Sequence, residues 1–208
     1  FSALRAFGQL SVDIKDYHLQ LQYHGKIIPA VLKAIDDKVL RVQCNAMRVL
    51  VNYLAYDDQD DGKKNSRDQE ENDDEDDEES GVSMADDILK VFTPYTDLIL
   101  GKMLEKIKSP LDIVKQHALH ALAALVTCTA DSAKKYFAQL MPILNELLEQ
   151  TKNNPQCNQK LQIYAIEAVI CLIGNIDADT FEPHAEGLLN YSFSVLEKYG
   201  LGDVEAVN

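Results

Sequence analysis

Four prolines recur along this chain in similar apolar surroundings: Pro29 in HGKIIPAVLKAI, Pro94 in VFTPYTDLILGKML, Pro142 in AQLMPILNELL and Pro183 in TFEPHAEGLL. Their separations are 65, 48 and 41 residues, and the first closes to 41 when the 24-residue acidic segment 57–80 is set aside. A second marker keeps the same beat. Ala3, Ala46, Ala118 and Ala165 stand 43, 72 and 47 residues apart, and the 72 closes to 48 by the same removal. Two markers with one period of 41 to 48 residues define a repeat, and a repeat of that length built from two helices is a solenoid unit of the HEAT type.

The units are helical because apolar residues fall at i, i+3, i+4 and i+7, as in Ala46, Met47, Leu50, Val51 and Leu54, or Ala118, Leu119, Leu122, Ala123 and Val126. No strand alternation competes with this. The pattern predicts helices over about 1–14, 18–35, 39–55, 84–107, 111–129, 132–151, 158–174 and 179–198. Ser109-Pro110-Leu111-Asp112 predicts a helix start, with the serine as cap and the proline in the first turn. Ser83-Met84-Ala85-Asp86 reads the same way. The recurring proline should bend the first helix of each pair, since it removes one backbone donor and crowds the preceding turn. The expected fold class is therefore all-α: an α-α superhelix of about four helix pairs, one solenoid spanning 1–208, with repeats over 1–56 and 81–208 and a long acidic inter-repeat loop at 57–80.

In such a stack each pair buries its stripes only against its neighbours and exposes a long concave surface suited to binding. The first residues, Phe1, Leu4 and Phe7, belong to an apolar stripe with no capping segment before it. The chain therefore reads as a fragment that should self-associate through uncapped ends.

Charge narrows the partners. The net charge is -14, and residues 57–80 hold 14 of the 34 acids and three of the 20 bases, leaving the rest of the chain at -3. No basic field exists to hold a phosphate backbone, so direct nucleic-acid binding is not expected. No stretch reaches the roughly 20 apolar residues of a membrane helix. The four cysteines, Cys44, Cys128, Cys157 and Cys171, have no zinc spacing and suggest a reducing compartment. His117 and His120 share a helix face, but no further ligand completes a metal site. No nucleophile motif, phosphate loop or carboxylate pair stands where it could react, so neither an enzyme nor a cofactor is expected.

Two candidate surfaces remain. The run Asp73, Asp74, Glu75, Asp76, Asp77, Glu78 and Glu79 is either a tolerated insertion or a docking site for basic partner segments. Aligning the second helices on their alanines gives the exposed columns of the concave face: Arg5, Arg48, His120 and Glu167; Gln9, Asn52, Ala124 and Cys171; Ser2, Asn45, His117 and Tyr164. Of these, Arg48, Asn45, Asn52, His120 and Glu167 are the candidate contacts. The chain has no tryptophan, so the Trp and Asn ladder by which armadillo adaptors hold basic signals is impossible here.

With period, proline-bearing helices and acidic loop assembled, the chain resembles the importin-beta (karyopherin-beta) family of nuclear transport receptors. The likeness is carried by RAFGQLSVDI, HGKIIPAVLKAIDDKVLRVQCNAMRVLVNYL, FTPYTDLILGKMLEKI and VKQHALHALAALVTCTADSAKKYFAQLMPILNELLEQ, which look most like central repeats of the importin-five branch. The resemblance implies a receptor that binds protein cargo and the GTPase Ran, passes pores through Phe-Gly nucleoporins, and shuttles between cytoplasm and nucleus. The family's best-known receptor carries its acidic loop inside one repeat, whereas the pairing here puts it between repeats. The alternative is a static HEAT scaffold of a cytosolic complex.

Overall fold

The periodic pattern is realised as helices in the computed structural model, which describes residues 2–14, 18–54, 84–152 and 158–199. In chain order they are α1 (Ser2–Asp13), α2 (His18–Ile35), α3 (Leu40–Leu54), α4 (Met84–Phe92), α5 (Thr96–Ile107), α6 (Asp112–Cys128), α7 (Ala130–Lys152), α8 (Gln159–Ile173) and α9 (Ala178–Tyr199). No strand occurs among the described residues. The acidic segment 57–80 falls between α3 and α4, outside them.

The helices lie in two layers. In the first, α1 packs on α3, α3 on α6, and α6 on α8; in the second, α2 packs on α4 and α7 on α9. The layers are joined by the pairs α2–α3, α5–α6 and α7–α8, the antiparallel units that the period predicts. We call the first layer inner and the second outer.

Why the inner layer stacks can be read from its columns. Ala46, Ala118 and Ala165 are completely buried, and the positions three, four and seven residues on are buried in all three helices. Those positions are Val49, Ala121 and Ala168; Leu50, Leu122 and Val169; Tyr53, Leu125 and Leu172. A small residue at the crossing lets the backbones approach, and larger ones fill the space on either side. Ala3 departs from its assigned column, because it is exposed. The face of α1 that meets the core is Leu4, Phe7, Gly8 and Ser11, one position out of that register. A Cβ on Gly8 would sit 3.2 Å from Val49 Cγ2, so glycine permits this approach. Phe7 lies against the Tyr53 ring at 5.9 Å. The expected exposed stripe is thus corrected at Leu4 and Phe7, which are half-buried, while Phe1 lies outside the described residues; the exposed large apolar residues of α1 are Leu10 and Val12.

All four recurring prolines fall in the outer layer, inside α2, α7 and α9 and in the 3-10 turn Thr93–Tyr95. The helix predicted over 84–107 is therefore broken into α4 and α5 by Pro94. A proline has no N–H for the helical ladder, and the tighter turn absorbs the misfit. Neighbouring threonines take up carbonyls there, Thr93 Oγ1 donating to Leu89 O at 2.7 Å and Thr96 Oγ1 to Phe92 O at 3.3 Å.

Charged contacts also tie the outer layer together. Lys102 and Lys106 of α5 reach Asp36, just beyond α2, at 2.5 and 3.0 Å. Asp97 of α5 accepts from Tyr136 and Lys135 of α7.

The helix starts differ in a small way from expectation. Asn158 caps α8 by accepting from the Lys160 N–H at 3.0 Å, and Asp177 accepts from the Thr180 N–H at 2.9 Å at the start of α9. Ser109, however, accepts from the Leu111 N–H within the preceding turn, and α6 begins after Leu111 with no side-chain cap. The serine shapes the reversal between α5 and α6 instead of capping the helix. Ser83 lies outside the described residues.

Candidate partner-binding face

The surface of the inner layer that looks away from the outer layer is built by α1, α3, α6 and α8. The predicted columns belong to these four helices. Arg48 is exposed on α3; His117 and His120 are half-buried on α6; Tyr164, Glu167 and Cys171 are half-buried on α8. Ser2, Arg5 and Gln9 are exposed on α1, the helix whose register is shifted.

Contacts between neighbouring helices organise this face. The His120 ring lies flat on Tyr164 of the next helix, with centroids 4.9 Å apart and planes 19° apart. Burial holds His117 below the ordinary histidine range, and the charges of Arg48 and His120 push in the same direction. Sequence columns place His120 and Tyr164 in different rows, so this diagonal stack across two helices is not legible from periodicity.

The two asparagines have work of their own. Asn52 Nδ2 donates to Gly8 O at 3.0 Å, stitching α3 to α1, and Asn45 Nδ2 donates to Arg41 O at 2.6 Å. Their amide nitrogens are engaged with backbone carbonyls, and both residues are half-buried, as are His117, His120, Tyr164 and Glu167, while Arg48 is exposed. Of these, His117 and Tyr164 are not among the contacts expected from the sequence. The acidic residues 73–79 lie outside the described residues.

Other polar and titratable groups serve packing. Tyr53 is buried in the core, its hydroxyl donating to Leu19 O at 2.9 Å, and burial pushes its pKa up. Cys128 is pushed up to about 11 by burial, which disfavours the reactive thiolate. Among the described residues no three His, Cys, Asp or Glu side chains converge to hold a metal ion, and no helix is long and apolar enough to cross a membrane.

A groove of about 210 Å³ lies between α7 and α9, lined by residues that include Asn145, Leu148, Pro183, His184 and Tyr191. His184 sits edge-on to Phe137 at 5.6 Å. At the far end of the stack, Ile163 and Ile170 of α8 are 52% and 59% exposed. Their column equivalents Cys44, Gln116 and Ala123 are buried, and Val51 is half-buried.

Known proteins share this arrangement, although no protein-family profile matches the chain. The chain is 22% identical over 191 residues to importin subunit beta-3 of Saccharomyces cerevisiae, covering 91% of this chain and 14% of that protein. Its fold is similar to the karyopherin Kap121p solved bound to Pho4p, to Nup53p and to the SUMO protease Ulp1p. Each of those matches has a TM-score of 0.70 and 20% identity over 95% of this chain and 16% of the other. The resemblance to importin-beta receptors thus holds in both sequence and fold, over a small part of those receptors' length.

Proposed function

We infer that this chain is a run of HEAT repeats from a nuclear import receptor, in which the inner-layer face contributes to carrying protein cargo through the nuclear pore under the control of Ran. The observation that carries the reading is the joint match to importin subunit beta-3 and to karyopherin Kap121p across nine-tenths of the chain. Kap121p is seen with Pho4p, Nup53p, Ulp1p and Ste12p, and this supports protein cargo as the partner class. Contact with Ran, contact with Phe-Gly nucleoporins and shuttling between cytoplasm and nucleus come from the same kinship. The function is one of binding, with no catalytic step. Arg48, Asn45, Asn52, His120 and Glu167 are proposed as the part of the inner face involved. The run Asp73, Asp74, Glu75, Asp76, Asp77, Glu78 and Glu79 is proposed as a contact for Ran or a basic partner segment on the strength of its charge.

The test is a pull-down of the full-length protein with Ran held in its GTP or GDP form, with and without residues 57–80. Selective capture of the GTP form is the expected result. Loss of that capture on deletion would assign the acidic run to Ran. Equal capture with the deletion would leave the run a spacer, and no capture in either nucleotide state would replace the receptor reading by a static HEAT scaffold.

A further inference from the structure

Two turns at one edge of the stack share a local design outside the inner-face columns. In the turn from α2 to α3, Asp37 Oδ1 accepts from the Val39 N–H at 2.8 Å; in the turn from α5 to α6, Ser109 Oγ accepts from the Leu111 N–H at 3.2 Å. Each bond fixes the residue just before an inner helix, seven positions ahead of the buried Ala46 or Ala118. Both fixed residues are large and apolar, and they are 56% and 49% exposed. Leu40 and Ile113, beside them, are exposed as well.

The two turns are held side by side. Asp36 in the first pairs with Lys102 and Lys106 near the end of α5, at 2.5 and 3.0 Å, and α3 packs directly on α6. Val39, Leu40, Leu111 and Ile113 thus make an apolar ridge across two repeats that no described helix covers, and such a ridge marks a contact site. The acids around it are engaged: Asp36 and Glu105 with Lys102 and Lys106, Asp112 with Lys115, and Asp37 with the Val39 N–H. Lys38 and Lys108, one in each turn, are exposed and form no ion pair with any described residue. The rim of the ridge is therefore positive.

We propose that this edge docks an amphipathic helix of a partner protein, with apolar side chains on Val39, Leu40, Leu111 and Ile113 and flanking carboxylates on Lys38 and Lys108. A helix laid along the edge fits the spacing. Packed helices such as α3 and α6 lie about 8 to 10 Å apart, and seven residues of α-helix rise about 10 Å, so one stripe at i, i+3 and i+7 touches both turns. The chain's own acidic segment is not the occupant, because residues 57–80 contain no large apolar residue. Since both turns are already pinned by side-chain bonds, docking orders little on this side.

The experiment titrates the whole chain with three peptides of equal length. One has leucines at i, i+3 and i+7 among glutamates, the second has the same composition with the leucines scattered, and the third replaces the glutamates of the first by lysines. Calorimetry reads the affinity and methyl NMR reads the place. The first peptide should bind and shift the methyl signals of Val39, Leu40, Leu111 and Ile113. Val39→Ser with Leu111→Ser should weaken it by about tenfold or more, the loss of two partly buried apolar side chains. Lys38→Glu with Lys108→Glu should weaken it by about twofold to tenfold and reduce its salt dependence. Leu98→Ser, an exposed change elsewhere on α5, should leave it unaltered. Every substituted side chain is exposed, so circular dichroism of the variants should match the parent. Equal binding of the scattered peptide would overturn the helical partner, and preference for the lysine peptide would overturn its charge. Methyl shifts confined to Ile163 and Ile170, or no binding of any peptide, would overturn the edge as a docking site. Shifts of Val39 and Leu111 that grow with chain concentration alone would replace the partner helix by a second copy of this chain. None of these outcomes bears on the receptor assignment, which the Ran pull-down tests.

Discussion

The middle of the inner layer and its far end are made of the same columns yet live in different surroundings. On α6, Gln116 and Ala123 are buried because α8 lies over them; on α8, the equivalent Ile163 and Ile170 are more than half exposed. The exposed pair is the more hydrophobic of the two. In a stacked array, then, a column's chemistry does not settle its burial; the neighbour does. The outer layer repeats the lesson, with Leu189, Phe193 and Leu196 exposed on one face of α9.

That comparison can be broken by mutation. Leu122, 1% exposed at the centre of α6, should cost on the order of 2 to 5 kcal/mol when changed to alanine. Ile170→Ala on α8 should stay within about 0.5 kcal/mol. Chemical denaturation reads both, and equal costs would mean that the end face is covered in solution. Light scattering decides that point, because Ile170→Lys should reduce self-association if a second copy supplies the cover.

A smaller difference is expected at the helix starts. Helix α8 has Asn158 as its cap and α6 has no side-chain cap, so Asn158→Ala should cost about 1 kcal/mol, seen as faster amide exchange in the first turn of α8. Tyr53→Phe removes a buried hydroxyl that bonds Leu19 O and should cost about 0.5 to 1.5 kcal/mol, with no change at the far end.

The smallest effect is one of pH. His117 has a pKa below 6.5 in the folded chain, so the folded state binds fewer protons than the unfolded state. Its contribution to stability is full above 6.5 and is lost as pH falls through the lowered folded value. His117→Gln should flatten the stability profile in that window, and an unchanged profile would show that Arg48 and burial do not act on this ring.

Much of the architecture is legible because repeats make a sequence testify several times to the same fact. Ala46, Ala118 and Ala165 predict three helix crossings, and all three are buried. The departures have local causes. Spacing alone assigns Ala3, but Gly8 sets how α1 meets α3. Pro94 suggests a bend, yet it sits where a 3-10 turn separates two helices. Ser109 looks like a cap but closes a turn. Phe7, expected on an exposed stripe, packs against Tyr53. On the candidate face the columns point to Arg48 and His120, whereas the His120–Tyr164 stack depends on how far neighbouring helices slide past one another. No single-helix pattern encodes that offset. Glu167 is half-buried, and Asn45 and Asn52 hold backbone carbonyls.

The placement of the prolines has a mechanical meaning. Helices α1, α3, α6 and α8 contain none, so their hydrogen-bond ladders run without a missing rung, while α2, α7, α9 and the α4–α5 rod each lack one. A laminate with one stiff ply and one notched ply flexes by opening and closing its notches. A change in the pitch of this coil should therefore bend the outer side first, where the rungs are missing, and leave the inner-layer side chains in register.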